Sequence, residues 1–154
     1  KIEWHFIGPI QSNKCKLIAE NFSWVHSVDR IKVANKLNDS VQEKTSLNVC
    51  MQVNISNEDS KSGLKINEID SLAKHINGLD KLTLRGLMAI PSNTSNNEIL
   101  KNEYKQLKFI YEDLKKEYSS IDTLSMGMSN DYLLAIENGS NLVRIGSKIF
   151  GKRT

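Results

Sequence analysis

Leu124-Ser-Met-Gly-Met-Ser129 and, after a short intervening segment, Leu142-Val-Arg-Ile-Gly-Ser-Lys-Ile-Phe-Gly151 are the stretches that decide the fold of this chain. Each begins as a short apolar strand and breaks into Gly and Ser where a strand hands over to a helix. Such a turn leaves free backbone N–H groups that can receive an anion such as phosphate. Ser129, Asn130 and Asp131 can cap the helix between the two stretches. Its apolar positions are Tyr132, Leu133, Ala135 and Ile136, and Gly139 supplies a left-handed stop. At the second turn Gly146 lets the backbone approach a ligand closely and Ser147 adds a hydroxyl, while Arg144, one pleat back, can point the same way as Gly146. Two such turns after successive strands can share one ligand. The same residues also serve ordinary strand-to-helix loops, and local spacing alone leaves both readings open.

Working outward, residues 82–90 form a β-prone run that Pro91 ends, followed by a polar loop. A long helix comes next, with Leu100, Tyr104, Leu107, Tyr111, Leu114 and Tyr118 at alternating spacings of four and three, a core-facing stripe. Upstream, residues 47–55 alternate strictly: Leu47, Val49, Met51, Val53 and Ile55 on one face, Asn48, Cys50, Gln52 and Asn54 on the other. If helices cover the apolar face, the polar face looks inward and Asn54, at the carboxyl end, sits near a ligand. A polar loop then leads to a helix with Ile66, Ile69, Leu72 and Ile76 on one side, closed by Asn77-Gly78. Before these lie a first strand over residues 2–7, stopped by Gly8-Pro9, and a helix over 12–21 with Leu17 and Ile18 inward. A second strand over 24–28 follows, then a helix that Asp29 can cap, with Ile31, Ala34 and Leu37 apolar up to a polar stretch at 38–46. Six strands alternate with helices and no Asn-Gly hairpin joins them, so the strands are expected to be parallel, in an open doubly wound sheet or a βα barrel. In either, ligands bind at the carboxyl ends of the strands. A complete eight-fold barrel typically takes about 250 residues, and this chain has 154.

Composition narrows the function classes. With 39% hydrophobic and 25% charged residues the chain suits one domain, over residues 1–154, with one core. A net charge of +3, spread along the chain, builds no basic patch for nucleic acid. No apolar run approaches the roughly twenty residues that span a bilayer, and a cytoplasmic location is expected. Cys15 and Cys50 are expected to be reduced thiols, and His5, His26 and His75 lack metal-ligand spacing, so no metal site is expected.

Five collinear segments carry a resemblance. They are Trp4-His-Phe-Ile-Gly-Pro-Ile-Gln-Ser-Asn-Lys14, Asn54-Ile-Ser with Ser60-Lys-Ser-Gly63, Arg85-Gly-Leu-Met-Ala-Ile-Pro91, the stretch from Leu124 to Ser129, and Val143-Arg-Ile-Gly-Ser-Lys-Ile-Phe-Gly151. Together they resemble the YggS/PROSC family of pyridoxal phosphate homeostasis proteins, relatives of the barrel domain of alanine racemase. The resemblance implies an α/β fold, a (β/α) barrel of TIM type, incomplete here with about six of eight βα units. It implies a pyridoxal 5'-phosphate (PLP) site in which Ser125, Met126, Gly127 and Ser129, with Gly146 and Ser147, hold the phosphate and Arg144 faces the pyridine nitrogen. An arginine there keeps that nitrogen unprotonated and weakens the ring as an electron sink. His5, Asn54 and Met88 lie on strands that would line the same cavity, although barrel packing also accounts for them.

In this family the Schiff-base lysine ends the first barrel strand, and both it and the second strand are expected upstream of Lys1. None of Lys14, Lys61 and Lys148 occupies that position. Six strands alone would leave two parallel edges, to be covered by the upstream segment or a dimer, so either a monomer or a homodimer is expected. The expected function is cofactor carriage in PLP homeostasis, without catalytic turnover or catalytic residues, serving PLP-dependent client enzymes. The alternatives are a PLP-dependent amino-acid racemase, which needs a base on each face of Cα, and a barrel that binds another phosphate ester.

Overall fold

The computed structural model describes residues 2–42 and 45–151. Lys1 and the middle of the polar stretch at 38–46 lie outside them, as does the end of the expected single domain after Gly151. The elements run β1 (His5–Phe6), a 3-10 turn (Ser12–Lys14), α1 (Cys15–Asn21), β2 (Trp24–Val28), α2 (Ile31–Ser40) and β3 (Leu47–Val53). A second 3-10 turn (Ile66–Glu68) then opens α3 (Ile69–Asn77), followed by β4 (Leu82–Ala89), α4 (Asn97–Glu117), β5 (Thr123–Met128), α5 (Tyr132–Glu137), β6 (Leu142–Arg144) and α6 (Ser147–Phe150).

The six strands among the described residues are all parallel, and their spatial order is β1-β2-β3-β4-β5-β6. A doubly wound sheet reverses direction at a switch point, whereas a barrel adds each strand beside the last. The sequential order is therefore that of a (β/α) barrel, here six strands of it.

Alternation along the strands divides the side chains between two surfaces. Val25, Val49, Met51, Leu84, Leu124 and Met126 join the main core beneath the helices. The other surface carries a small separate cluster of Trp24, Cys50 and Met88, and the buried polar groups His26, Gln52 and Ser125. That is the inward polar face expected for β3. Gly86 permits the closest approach in the sheet: at φ +151°, a Cβ there would lie 1.7 Å from the Thr123 carbonyl oxygen. The register of β3 against β4 slips at this point.

Several local expectations are corrected. The first strand is two residues long, because among the described residues it is the edge of the sheet and has β2 alone to pair with. Leu17, Ile31, Ile66, Leu133 and Ile136 are exposed, since each helix seats only a narrow stripe on the sheet; Ile18, Val33, Leu37, Leu72 and Ala135 take the buried positions. Asp29 does not cap α2 but pairs with Arg30 at 2.5 Å, and the helix runs past Leu37 to Ser40. Gly78 closes α3 in an ordinary helical conformation, whereas Gly139 is left-handed, at φ +101°. The β3 strand ends at Val53, leaving Asn54 in the loop.

Candidate functional site

The loops that follow β1, β4, β5 and β6 surround a cavity of about 770 Å³ at the carboxyl end of the sheet. Its walls include His5, His26, Ile90, Ser129, Arg144 and Gly146. The turn after β5 and the turn after β6 are joined directly, because Ser129 Oγ accepts hydrogen bonds from the backbone N–H of Gly146 and of Lys148, both at 3.3 Å. That hydroxyl therefore marks the position among the amide groups opening α6 that a phosphoryl oxygen could take. At Gly146 a Cβ would meet nothing within 4 Å, so the turn presents bare backbone to open space. This donor set suits a phosphate monoester.

The β5 turn is held from beneath. Tyr104, fully buried on α4, donates its hydroxyl to Asp131 Oδ2 while Asp131 Oδ1 accepts from Met128 N–H at 2.8 Å. Burial and the adjacent carboxylate push the Tyr104 phenol well above its ordinary pKa, which keeps it a donor. Asp131 is thus the backbone N-cap residue of α5, yet its carboxylate closes the loop rather than the helix.

Arg144 enters from β6 and lies across the floor of the cavity. Its Nη1 donates to the Ser125 carbonyl at 2.9 Å and to Ser125 Oγ at 2.8 Å, and its Nη2 to the Ala89 carbonyl at 2.9 Å. Among the described residues Nε–H and one Nη2–H of this cavity-lining guanidinium have no acceptor. Burial lowers the Arg144 pKa from its ordinary value, opposed by Tyr104 and Asp131, and a guanidinium remains charged through any such change. A file of side chains continues behind it: Ser125 Oγ lies 3.1 Å from His26 Nδ1, and His26 Nε2 lies 2.9 Å from His5 Nδ1. The His5 ring stacks on Trp24 with centroids 5.1 Å apart. Burial, then the charges of His5 and Arg144, depress the His26 pKa to about 4, so it is neutral near pH 7.

The expected site residues therefore fall into groups. Ser129, Arg144, Gly146, Ser147 and His5 line one cavity. Ser125 and Met126 are fully buried; the Ser125 hydroxyl is engaged by Arg144, and the Met126 side chain belongs to the core under the helices. Gly127, at φ +92°, makes room for α5, since a Cβ would lie 2.5 Å from Ala135 Cβ. Met88 packs with Trp24 and Cys50. Asn54 turns to its own loop, donating to the Glu58 carbonyl at 2.8 Å. Lys14, Lys61 and Lys148 line other hollows. Sequence reasoning missed His26, Tyr104 and Asp131 as supports of the site. His26 carried a signal as a polar residue within an otherwise strand-like run, and Asp131 one as a possible cap, but nothing in the sequence joined either to Arg144 or Tyr104.

Among the described residues no group of three or more His, Cys, Asp or Glu side chains could hold a metal ion, and no helix is long and apolar enough to cross a membrane.

Comparison with known proteins bears on this arrangement. The family model described as "Alanine racemase, N-terminal domain" matches residues 2–154. The pyridoxal phosphate homeostasis protein of Vibrio alginolyticus is 53% identical over 154 residues, covering 99% of this chain and 66% of that protein. Its namesake from Escherichia coli (strain K12) is 50% identical over 153 residues, covering 99% and 65%. The chain thus spans slightly less than two thirds of the length of these relatives. Among solved structures, PipY of Synechococcus elongatus PCC7942 with PLP bound superposes with a TM-score of 0.88 at 29% identity, over 97% of this chain and 71% of that one. Alanine racemase of Clostridium difficile 630, at 14% identity and a TM-score of 0.79 over 99% of this chain and 40% of that one, shares the fold. The chain belongs to the alanine racemase N-terminal domain family, and within it resembles the pyridoxal phosphate homeostasis proteins.

Proposed function

We propose that this chain is a PLP-binding unit that acts in cofactor homeostasis, holding the cofactor and releasing it to PLP-dependent enzymes of the cytoplasm without turning over a substrate. The observation that carries the proposal is the junction of the two turns: Ser129 Oγ bonded to Gly146 N–H and Lys148 N–H, above the cavity floored by Arg144. In this reading Ser129, Gly146 and Ser147 hold the phosphate and Arg144 offers a donor to the ring nitrogen, while His5 stands at the cavity wall. Ser125, Met126 and Gly127 serve the site by shaping the β5 strand behind it, and Met88 and Asn54 serve packing and loop closure. The names of the relatives and the PLP bound to PipY support the same ligand.

Bound PLP would supply an aldehyde and an electron-withdrawing ring. A guanidinium facing the ring nitrogen donates a hydrogen bond without giving up its proton, which limits that withdrawal. Racemisation would in addition need a proton acceptor on each face of Cα. Among the described residues the cavity wall contains neither Tyr nor Lys, which favours carriage over racemisation.

The test is titration of the chain with PLP, followed by absorbance and equilibrium dialysis, with Arg144→Ala and Gly146→Val in parallel. Saturable uptake that both substitutions weaken at least tenfold is expected, and borohydride should leave no reduced cofactor attached within this cavity, because among the described residues no lysine lines it. Uptake that neither substitution alters would place the cofactor elsewhere and remove the proposal.

A further inference from the structure

The file of side chains behind Arg144 has a direction that donor counting reveals. Arg144 can only donate, so Ser125 Oγ accepts from Nη1 at 2.8 Å and still has its own hydrogen to place. Ser125 is fully buried, and His26 Nδ1 stands 3.1 Å away. Were His26 Nδ1 protonated, two donors would converge on the same oxygen, and the hydroxyl hydrogen would be buried without this acceptor, which is costly. Nδ1 is therefore the acceptor, and the His26 proton resides on Nε2. From there it is donated over 2.9 Å to His5 Nδ1, which places the His5 proton on Nε2, 3.7 Å from Glu3 Oε2. Every link points away from the guanidinium, and no member of the file offers Arg144 a proton.

Resting on the PLP reading above, we propose that His26 is a positioning residue. Through the Ser125 hydroxyl it holds the Arg144 guanidinium on the cavity floor, and so makes the site selective for an aromatic ring that carries an unprotonated acceptor nitrogen. The two donors of Arg144 without an acceptor among the described residues, Nε–H and one Nη2–H, are set by the three bonds already made to Ser125 and Ala89. Loosening Ser125 frees the guanidinium to turn, and a ring nitrogen then loses its donor. A ring without that nitrogen loses nothing.

Two measurements test this. The first is the affinity of the 154-residue chain, as wild type, His26→Phe, His26→Gln and Ser125→Ala, for PLP and for its analogue with the ring nitrogen replaced by C–H. Wild type is expected to favour PLP. His26→Phe and Ser125→Ala should each weaken PLP binding about tenfold, the loss of a charge-assisted hydrogen bond, and leave the analogue unchanged. His26→Gln, whose amide can accept from Ser125, should retain most of the preference. An equal loss for both ligands, or none for either, overturns the proposal while PLP binding by wild type still supports the broader reading. Absence of PLP binding by wild type removes both. The second measurement needs no ligand: nitrogen-15 NMR of the histidines near pH 7 should show His26 as the Nε2–H tautomer, and an Nδ1–H tautomer overturns the direction assigned here. Ser125→Ala is the smaller change and serves where His26→Phe does not fold.

Discussion

The Tyr104 hydroxyl reaches Asp131, and Asp131 reaches Met128 N–H, so a single buried phenol holds the turn that carries Ser129. Removing that oxygen lets the loop relax and takes one of its two donors from a carboxylate beside a site suited to an anion. Tyr104→Phe should therefore weaken binding of PLP and of inorganic phosphate about tenfold, in line with a hydrogen bond to a charged group, and leave pyridoxal, which lacks the phosphate, nearly unaffected. Isothermal titration with the three ligands reads the difference; an equal loss for pyridoxal would mean that Tyr104 supports the whole cavity and not the turn. At Gly127 the constraint is steric and conformational together: φ is +92° and a Cβ would lie 2.5 Å from Ala135 Cβ. Gly127→Ala should cost about 2–4 kcal/mol, from left-handed strain and overpacking, measurable as a lower urea midpoint.

At the scale of the element, α4 shows how a helix is specified twice, at its end and along its face. Asn96 caps it, its side-chain oxygen accepting from Glu98 N–H at 3.0 Å and Ile99 N–H at 3.4 Å, and Leu100, Tyr104, Leu107, Tyr111 and Leu114 are buried in succession. Asn96→Ala should lower stability by about 1 kcal/mol, the usual worth of such a cap. Leu107→Ala, at a fully buried position, should cost about 2–5 kcal/mol through lost burial and the cavity left behind. Chemical denaturation of the two variants checks the ranking, and a cap loss as large as the core loss would contradict it. By contrast α5 and α6 are short and bury little of their own apolar surface: Leu133 and Ile149 are 62% and 66% exposed, and Ala135 is the buried residue of α5. These two helices serve the turns that precede them.

For the molecule as a whole, pH acts through the buried histidine. His26 titrates at about 4 when folded, against an ordinary 6.5. The unfolded chain therefore binds more protons between those values, and stability rises with pH across the window. The contribution is fully present above about pH 6.5 and is lost as pH falls towards 4, amounting to roughly 3 kcal/mol. Denaturant melts of wild type and His26→Gln at pH 7, 5.5 and 4.5 should show a slope in wild type that the variant lacks; parallel curves would contradict the assignment. Asp122 acts in the same sense at lower pH, since its hydrogen bonds to Arg85 hold its carboxyl below the usual range.

The six-strand alternation, the parallel sense, the inward polar face of β3 and the amphipathic face of α4 were all legible in the residues, because period and turn chemistry are local properties that each segment states for itself. So was the gathering of Ser129, Gly146, Ser147 and Arg144 at the carboxyl end, since consecutive strand-to-helix turns of a parallel sheet must share one rim. Whether the sheet wound as a barrel or doubled back was not legible from period or spacing, since both use the same βα units; the resemblance alone favoured the barrel, and the order β1 to β6 decided it. Tertiary structure alone also sent Ser125 to Arg144 and to His26, a partner 99 residues away that leaves no periodic trace, and the end of β3 at Val53 left Asn54 to bond within its own loop. The chain determined by itself which residues could meet an anion; only the packed sheet determined which side chains were free to do so and which hold the others still.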